Sequence, residues 1–242
     1  MKSSMPDNKK KSYAIITGAS RGIGFYTAKL FLKKAYSVIN ISRSECLLPG
    51  VLNWLVDLSD SKSIDEIKIK LSKKMKNEKN IFCLVHNAMR LWRDDVSSLD
   101  VNELRHLLEL GLIAPIRLNQ LFLPCMAEGS SVIYIGSTLS EKAIPNTASY
   151  VIQKHAVAGL MRSSCQDWVG SGIHTACICP GFTDTAMLQD HVGLISLEKI
   201  AERTAAKRLI TPKEVARLIY FCAKNPIING SLIHAHLGQL ES

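Results

Sequence analysis

The sequence predicts an α/β fold: a doubly wound parallel sheet of about seven strands, layered between helices on both faces. Three observations carry that expectation. Short β-type runs alternate with helical patterns along the chain. The runs are almost continuously apolar, as strands buried on both faces are. The turn after the first run is rich in glycine and opens a helix, the arrangement that brings backbone N–H groups close to a phosphate.

In order, residues 1–11 (MKSSMPDNKKK) form a polar tail, and YAIIT (13–17) is the first strand. A helix is expected near 22–34, then a strand at YSVINIS (36–42) and another at LNWLVDL (52–58). A lysine-rich helix follows, containing KIKLSKKMKNEK (68–79). IFCLVHN (81–87) is the fourth strand, succeeded by a long apolar helix over 100–124. SSVIYIG (130–136), a helix at 148–168, IHTACIC (173–179), a helix at 214–224 and SLIHAHL (231–237) complete the pattern. Such alternation implies right-handed crossovers between parallel strands. No Pro/Gly/Ser-rich linker and no repeat divides the chain, so 12–242 is expected to be a single domain.

Composition narrows the function classes. No uninterrupted apolar run approaches the ~18 residues of a membrane helix, and the polar N-terminus lacks the apolar centre of a signal peptide. A cytoplasmic protein with no membrane partner is expected. The seven cysteines are scattered without a CxxC pair, and their odd number rules out complete internal pairing. Cys177 and Cys179, two apart in a strand-like run, read as small buried apolar residues. No cluster has metal-ligand spacing, so no metal is expected. The net charge of +9 is concentrated in lysine runs. Without interleaved aromatic residues these read as a solvated surface rather than a nucleic-acid platform.

The glycine turn is TGASRGIGF (17–25). Gly18, Gly22 and Gly24, with Ser20, Arg21 and Ile23 between them, would let the backbone turn tightly against a pyrophosphate at the helix N-terminus. An acidic residue at the end of the second strand would bond a ribose 2′-hydroxyl. Here that end carries Ser42 and Arg43. An arginine pairs with a 2′-phosphate where a carboxylate repels one, and Arg21 adds a second cation. The expected cofactor is NADP(H) in preference to NAD(H).

In ASYVIQKHAVAGL, Tyr150 and Lys154 stand four apart, on one face of a helix. A nearby ammonium stabilises tyrosinate, so Tyr150 is expected to have a lowered pKa and to exchange a proton with a carbonyl oxygen. Ser137, at the end of the fifth strand, is placed to hydrogen-bond that oxygen.

With these residues in register, the chain resembles the short-chain dehydrogenase/reductase family, from residue 12 to about 238. TGASRGIG (17–24), Asp57-Leu58, HNA (86–88), Ser137, YVIQK (150–154) and PGFTDT (180–185) carry the resemblance. PGFTDTAM and RLITPKEVARLIYF are most similar to 3-oxoacyl-carrier-protein reductases. The resemblance implies a Rossmann-like fold and a Ser137–Tyr150–Lys154 site, with Lys154 also bonding the nicotinamide ribose. It implies that Asp57 and Leu58 meet the adenine, that Asn87 and Ala88 flank the adenosine ribose, and that Pro180, Gly181, Thr183 and Thr185 cradle the nicotinamide. It further implies a small carbonyl or alcohol substrate and a homodimer or homotetramer built on the helices at 100–124 and 148–168. The segment 186–208 is the expected substrate lid.

Two departures stand out. The fourth-strand motif reads His86-Asn87-Ala88-Met89. His86 is expected to be a core histidine, while Met89 adds bulk. In HLLELGLIAPIRL (106–118), Gly111 occupies the position of the family's active-site asparagine, whose main-chain carbonyl is thought to hold a proton-relay water. Pro115 has no N–H and clashes with the carbonyl four residues back, which is that of Gly111. The expectation is a kink that frees the Gly111 carbonyl for the relay. The alternative is a non-catalytic dinucleotide-binding sensor or scaffold.

Overall fold

The computed structural model describes residues 10–75, 79–193 and 196–239. Most of the expected polar tail, part of the lysine run and two residues of the expected lid fall outside the described residues. Seven parallel strands form one sheet: β1 (Ser12–Thr17), β2 (Ser37–Ser42), β3 (Val51–Leu55), β4 (Ile81–His86), β5 (Ser131–Ile135), β6 (His174–Pro180) and β7 (Ser231–Ala235). Their order is β3-β2-β1-β4-β5-β6-β7. The chain winds outward one way from β1, then crosses back to β4 and winds the other way. The switch point between β1 and β4 opens a crevice at the strands' carboxyl ends, where ligands bind in such sheets.

Helices cover both faces. On one, α2 (Ser63–Met75), α4 (Ala114–Phe122) and α5 (Ala148–Asp167) bury Ile67, Leu71, Leu118, Phe122, Val157 and Met161 against Ile15, Leu84, Val132 and Tyr134. On the other, α1 (Gly22–Lys33) and α8 (Pro212–Lys224) bury Ala28, Phe31, Val215 and Ile219 against Ile16, Val85, Ile133 and Ile178. Each large apolar side chain so buried contributes about 1.5–3 kcal/mol. Alternate residues of each strand feed alternate cores, which is why the runs read as continuously apolar.

The third strand ends at Leu55 and the last at Ala235, earlier than the apolar runs suggest. Beyond them Val56 and Leu58 stay in one core and Leu237 packs against the other. α8 starts two residues before the periodic pattern because Pro212 occupies its first turn and Thr211 and Glu214 form a reciprocal cap. The lysines of α2 point to solvent over the buried Ile67 and Leu71.

The expected long helix is interrupted. α3 (Val101–Leu108) passes into a five-residue π turn, Glu109–Ile113, and then into α4. The Ala114 N–H reaches the Glu109 carbonyl, five residues back. Pro115 withholds the donor that an unbroken helix needs, and the extra residue of the π turn absorbs the misfit. A Glu109–Arg117 ion pair spans the break. The stretch Val101–Cys125 is long and apolar enough to cross a bilayer by length and composition, yet Leu107, Ala114, Leu118 and Phe122 are buried inside the protein.

Candidate active site

The glycine turn lies at the carboxyl end of β1, beside the switch point. Gly18 and Gly22 have φ of +70° and +55°, backbone that residues with a Cβ rarely adopt. At Gly24 a Cβ would sit 2.2 Å from the Gly18 carbonyl oxygen and 2.8 Å from Asn87 Nδ2. The turn therefore closes on itself with no room for a side chain. α1 starts here with no side-chain cap and no acidic residue in its first turn, which leaves its positive end available to an anion.

Residues distant in sequence hold this turn. Asn40, fully buried on β2, accepts a hydrogen bond from Ala19 N at 2.9 Å and donates to Asn53 Oδ1 at 2.8 Å. Thr17 Oγ1 accepts from the N–H groups of Asn87 and Ala88, each at 2.9 Å. Asn87 Nδ2 donates to the carbonyls of Thr17 and Gly18, each at 3.0 Å. Asn87 thus spends its amide N–H groups on the turn itself.

Around the crevice, Arg43 is 72% exposed beside Asp57, 3.9 Å away. Partial burial pushes the Asp57 carboxyl up, but hydrogen bonds from Ser59 and the charges of Arg43 and His106 hold it below its ordinary range. Arg21 is also exposed, and Leu58 is buried. From the other half of the sheet, Thr185 approaches the turn: a Cβ on Gly22 would lie 3.4 Å from its Cγ2. Thr185 caps α6 (Ala186–Val192), the first of two short helices in the segment expected to be a lid; the second is α7 (Leu197–Glu202). Gly181 packs on the β7 end, where a Cβ would meet His236 Cβ at 2.8 Å, and Thr183 is buried.

Ser137, Tyr150 and Lys154 come together beyond β5. Ser137 caps a short turn, Thr138–Ser140, accepting from Leu139 N at 3.1 Å. Lys154 Nζ lies 5.4 Å from the centre of the Tyr150 ring and donates to the Ile135 carbonyl at 2.7 Å. Burial pushes the Lys154 ammonium down to about 8, with the thiols of Cys177 and Cys179 acting the other way. The expected lowering of Tyr150 is not what the structure has. Burial pushes its hydroxyl up to about 12, and the Ser137 hydrogen bond offsets only part of this. The Cys179 thiol beside it adds to the rise.

Asp94, which no local pattern in the sequence singles out, fixes the start of α5. Its Oδ1 accepts from Ser149 N at 3.0 Å and its carbonyl from Ala148 N at 3.2 Å. Cys177 and Cys179 are fully buried below the site, as expected of small apolar residues. Gly136 admits them: a Cβ there would lie 2.7 Å from Cys177 Sγ and 2.9 Å from Cys179 Sγ. Among the described residues, no group of three or more His, Cys, Asp or Glu is arranged to hold a metal.

His86 is a core histidine. Nε2 pairs with Asn119 Oδ1 at 2.8 Å, the ring lies 5.0 Å from that of Tyr134, and burial pushes its pKa down to about 4. At Gly111, Pro115 offers the carbonyl no N–H, and Gln153 Nε2 donates to it at 2.8 Å within a buried contact, which takes one of its two lone pairs.

The doubly wound sheet, the glycine turn at its switch point and the convergent Ser, Tyr and Lys define an oxidoreductase built around a dinucleotide. The chain belongs to the short chain dehydrogenase family, whose model matches residues 12–192. That family binds NAD(P), acts on small molecules and is commonly oligomeric. The chain is 29% identical to Protein FixR of Bradyrhizobium diazoefficiens, over 96% of this chain and 88% of that one. It is 26% identical to the 3-oxoacyl-[acyl-carrier-protein] reductase FabG of Vibrio cholerae, over 96% and 98%. With the ketoacyl reductase HetN of a Nostoc species it shares 25% identity over 93% and 81%. The fold is that of a short chain dehydrogenase family protein from Francisella tularensis, with a TM-score of 0.85 at 24% identity over 94% of this chain and 98% of that one.

The cradle fits a dinucleotide on its own geometry. Gly24 leaves no space for a Cβ, Gly18 and Gly22 take positive φ, and the cations Arg21 and Arg43 stand in the turn and at the end of β2.

Proposed function

We propose that this protein is a cytoplasmic NADP(H)-dependent carbonyl reductase or alcohol dehydrogenase, with residues 12–242 acting as one dinucleotide-binding domain. The observation that carries the reading is the convergence of Ser137, Tyr150 and Lys154 at one end of the sheet, beside the glycine cradle. The nicotinamide, when bound, supplies or accepts the hydride.

This chain's residues do the rest. Gly18, Ser20, Gly22, Ile23 and Gly24 present backbone to the pyrophosphate, with Arg21 and Arg43 flanking a 2′-phosphate. Asp57 and Leu58 border the adenine, while Asn87 and Ala88 brace the turn below the ribose. Pro180, Gly181, Thr183 and Thr185 border the nicotinamide, and Lys154 its ribose. Ser137 hydrogen-bonds the substrate oxygen and orients it. A Tyr150 pKa of about 12 keeps the hydroxyl protonated at neutral pH, so it is the proton donor in the reducing direction. The Lys154 ammonium stabilises the tyrosinate as it forms. The partly apolar segment 186–208 covers the substrate. A 3-oxoacyl thioester is the first class to test, since relatives along the whole chain are named ketoacyl reductases. Helices 100–124 and 148–168 supply the interface of a homodimer or homotetramer.

The test is NADPH consumption over a panel of carbonyl compounds, with Tyr150→Phe alongside. The expected loss is about 10²–10⁴-fold, the usual contribution of a positioned proton donor. Equal activity in both proteins refutes the assignment of Tyr150. NADPH binding with no turnover on any substrate supports the sensor instead.

A further inference from the structure

The contact between Gly111 and Gln153 has a fit that chance packing does not explain. Pro115, four residues on, has no N–H to give the Gly111 carbonyl. Gln153, 1% exposed on α5, fills that need with its Nε2 at 2.8 Å. The fit is exclusive. A Cβ on residue 111 would lie 2.0 Å from Gln153 Nε2 and 2.8 Å from its amide carbon, distances at which something must move. A side chain at 111 and the Gln153 amide therefore occupy the same volume.

The arrangement is also costly. Gln153 Oε1 is buried and accepts no hydrogen bond among the described residues. An orphaned buried acceptor is destabilising, so the amide serves the Gly111 carbonyl at a cost. Such exceptions concentrate where function needs them. Gln153 stands three residues after Tyr150 and directly before Lys154 on α5.

We infer that Gln153 is a positioning residue of the Tyr150–Lys154 centre. Its amide, reaching from α5, takes the volume that a side chain at 111 would fill, and locks the helix carrying both groups to the π turn. This rests on the reductase reading above. A displacement of about 1 Å at a reacting group costs about 10²-fold in rate, so this one hydrogen bond has leverage over turnover while leaving the dinucleotide cradle untouched.

The test compares the unaltered protein with Gln153→Ala, Gly111→Asn and the double variant Gly111→Asn/Gln153→Ala. Measured are kcat, the KM for NADPH, the pH profile of kcat, and Tm. Gln153→Ala is expected to lower kcat about tenfold and to raise the KM for NADPH by less than that, since Tyr150 and Lys154 shift while the glycine cradle does not. Gly111→Asn alone is expected to lose more, because its side chain meets the Gln153 amide. In the double variant the clash is gone but α5 still lacks the hydrogen bond, so kcat and the pH profile match those of Gln153→Ala to within about threefold. Additive losses overturn the inference. So does recovery of kcat in the double variant to that of the original, which shows that the hydrogen bond is dispensable.

Where Gly111→Asn does not fold, Gln153→Glu decides. It keeps the volume but donates to the Gly111 carbonyl only when protonated, so its kcat relative to the original rises as pH falls. A deficit independent of pH overturns the inference. Turnover unaffected by Gln153→Ala defeats this assignment alone, whereas absence of turnover in the unaltered protein defeats the reductase reading from which it starts.

Discussion

Lys154 is held in the folded protein at a cost that a single substitution exposes. It is 3% exposed, and its ammonium meets one carbonyl, that of Ile135. Burial brings its pKa from 10.5 to about 8. At about 1.36 kcal/mol per pKa unit this corresponds to about 3 kcal/mol of destabilisation by the charged form. The sign follows from linkage. Between about 8 and 10.5 the unfolded chain binds the proton and the folded one does not, so stability rises with pH across that window. Below about 8 the full cost is present.

Lys154→Met removes the charge and keeps most of the stem. It leaves the Ile135 carbonyl without its donor, which costs about 1–3 kcal/mol. At pH 7 the variant is therefore expected to equal or exceed the original in stability while losing turnover. As pH rises from 7 to 10.5, the original gains about 3 kcal/mol on the variant, or roughly 6–12 °C in Tm for a chain of this size. Urea unfolding of both proteins at pH 7, 8, 9 and 10 measures the difference, in which all other titrating groups cancel. A difference constant over that range refutes the claim that a buried, charged Lys154 burdens the fold.

Other expectations follow from the same geometry. His86, ordinarily near 6.5 and held at about 4, binds a proton more readily in the unfolded chain. Stability is expected to fall as pH drops from about 6.5 towards 4, and His86→Gln should flatten that limb in acid denaturation; an unchanged limb shows that another group sets it. Gly24→Ala places a methyl 2.2 Å from the Gly18 carbonyl. Overpacking of this kind costs about 1–3 kcal/mol, and calorimetry with NADPH should show binding weakened at least about tenfold. Arg43→Asp should lower NADPH affinity more than NADH affinity, since it replaces the cation at the end of β2 with an anion; an equal effect on both places the 2′-phosphate elsewhere.

The fold was legible in the sequence because its signals are local. Each β run spans at most about two turns of helix, and the inner runs are apolar on both sides, so they declare strands with two covered faces. The glycine turn and the Tyr150–Lys154 spacing are equally local, since a tight turn and one helical turn are both set by neighbours in the chain. So is the pairing of Gly111 with Pro115, which announces a break in its helix.

What the sequence left open was settled by contacts between distant segments. Asn40 from within β2 and Asn87 from just beyond β4 brace the glycine turn, which Thr17 ties to β4. Asp94 fixes the start of α5 from a loop 55 residues earlier. The Gly111 carbonyl meets Gln153 across 42 residues, a partner that the Gly–Pro pair does not announce. Tyr150 was expected to be lowered by its lysine, and only the depth of the site shows that lost hydration outweighs the nearby charge. Local sequence determines which backbone conformations are available and which faces are apolar. Hydrogen-bond partners and hydration belong to the packed protein, because they depend on which surfaces meet once the sheet has closed.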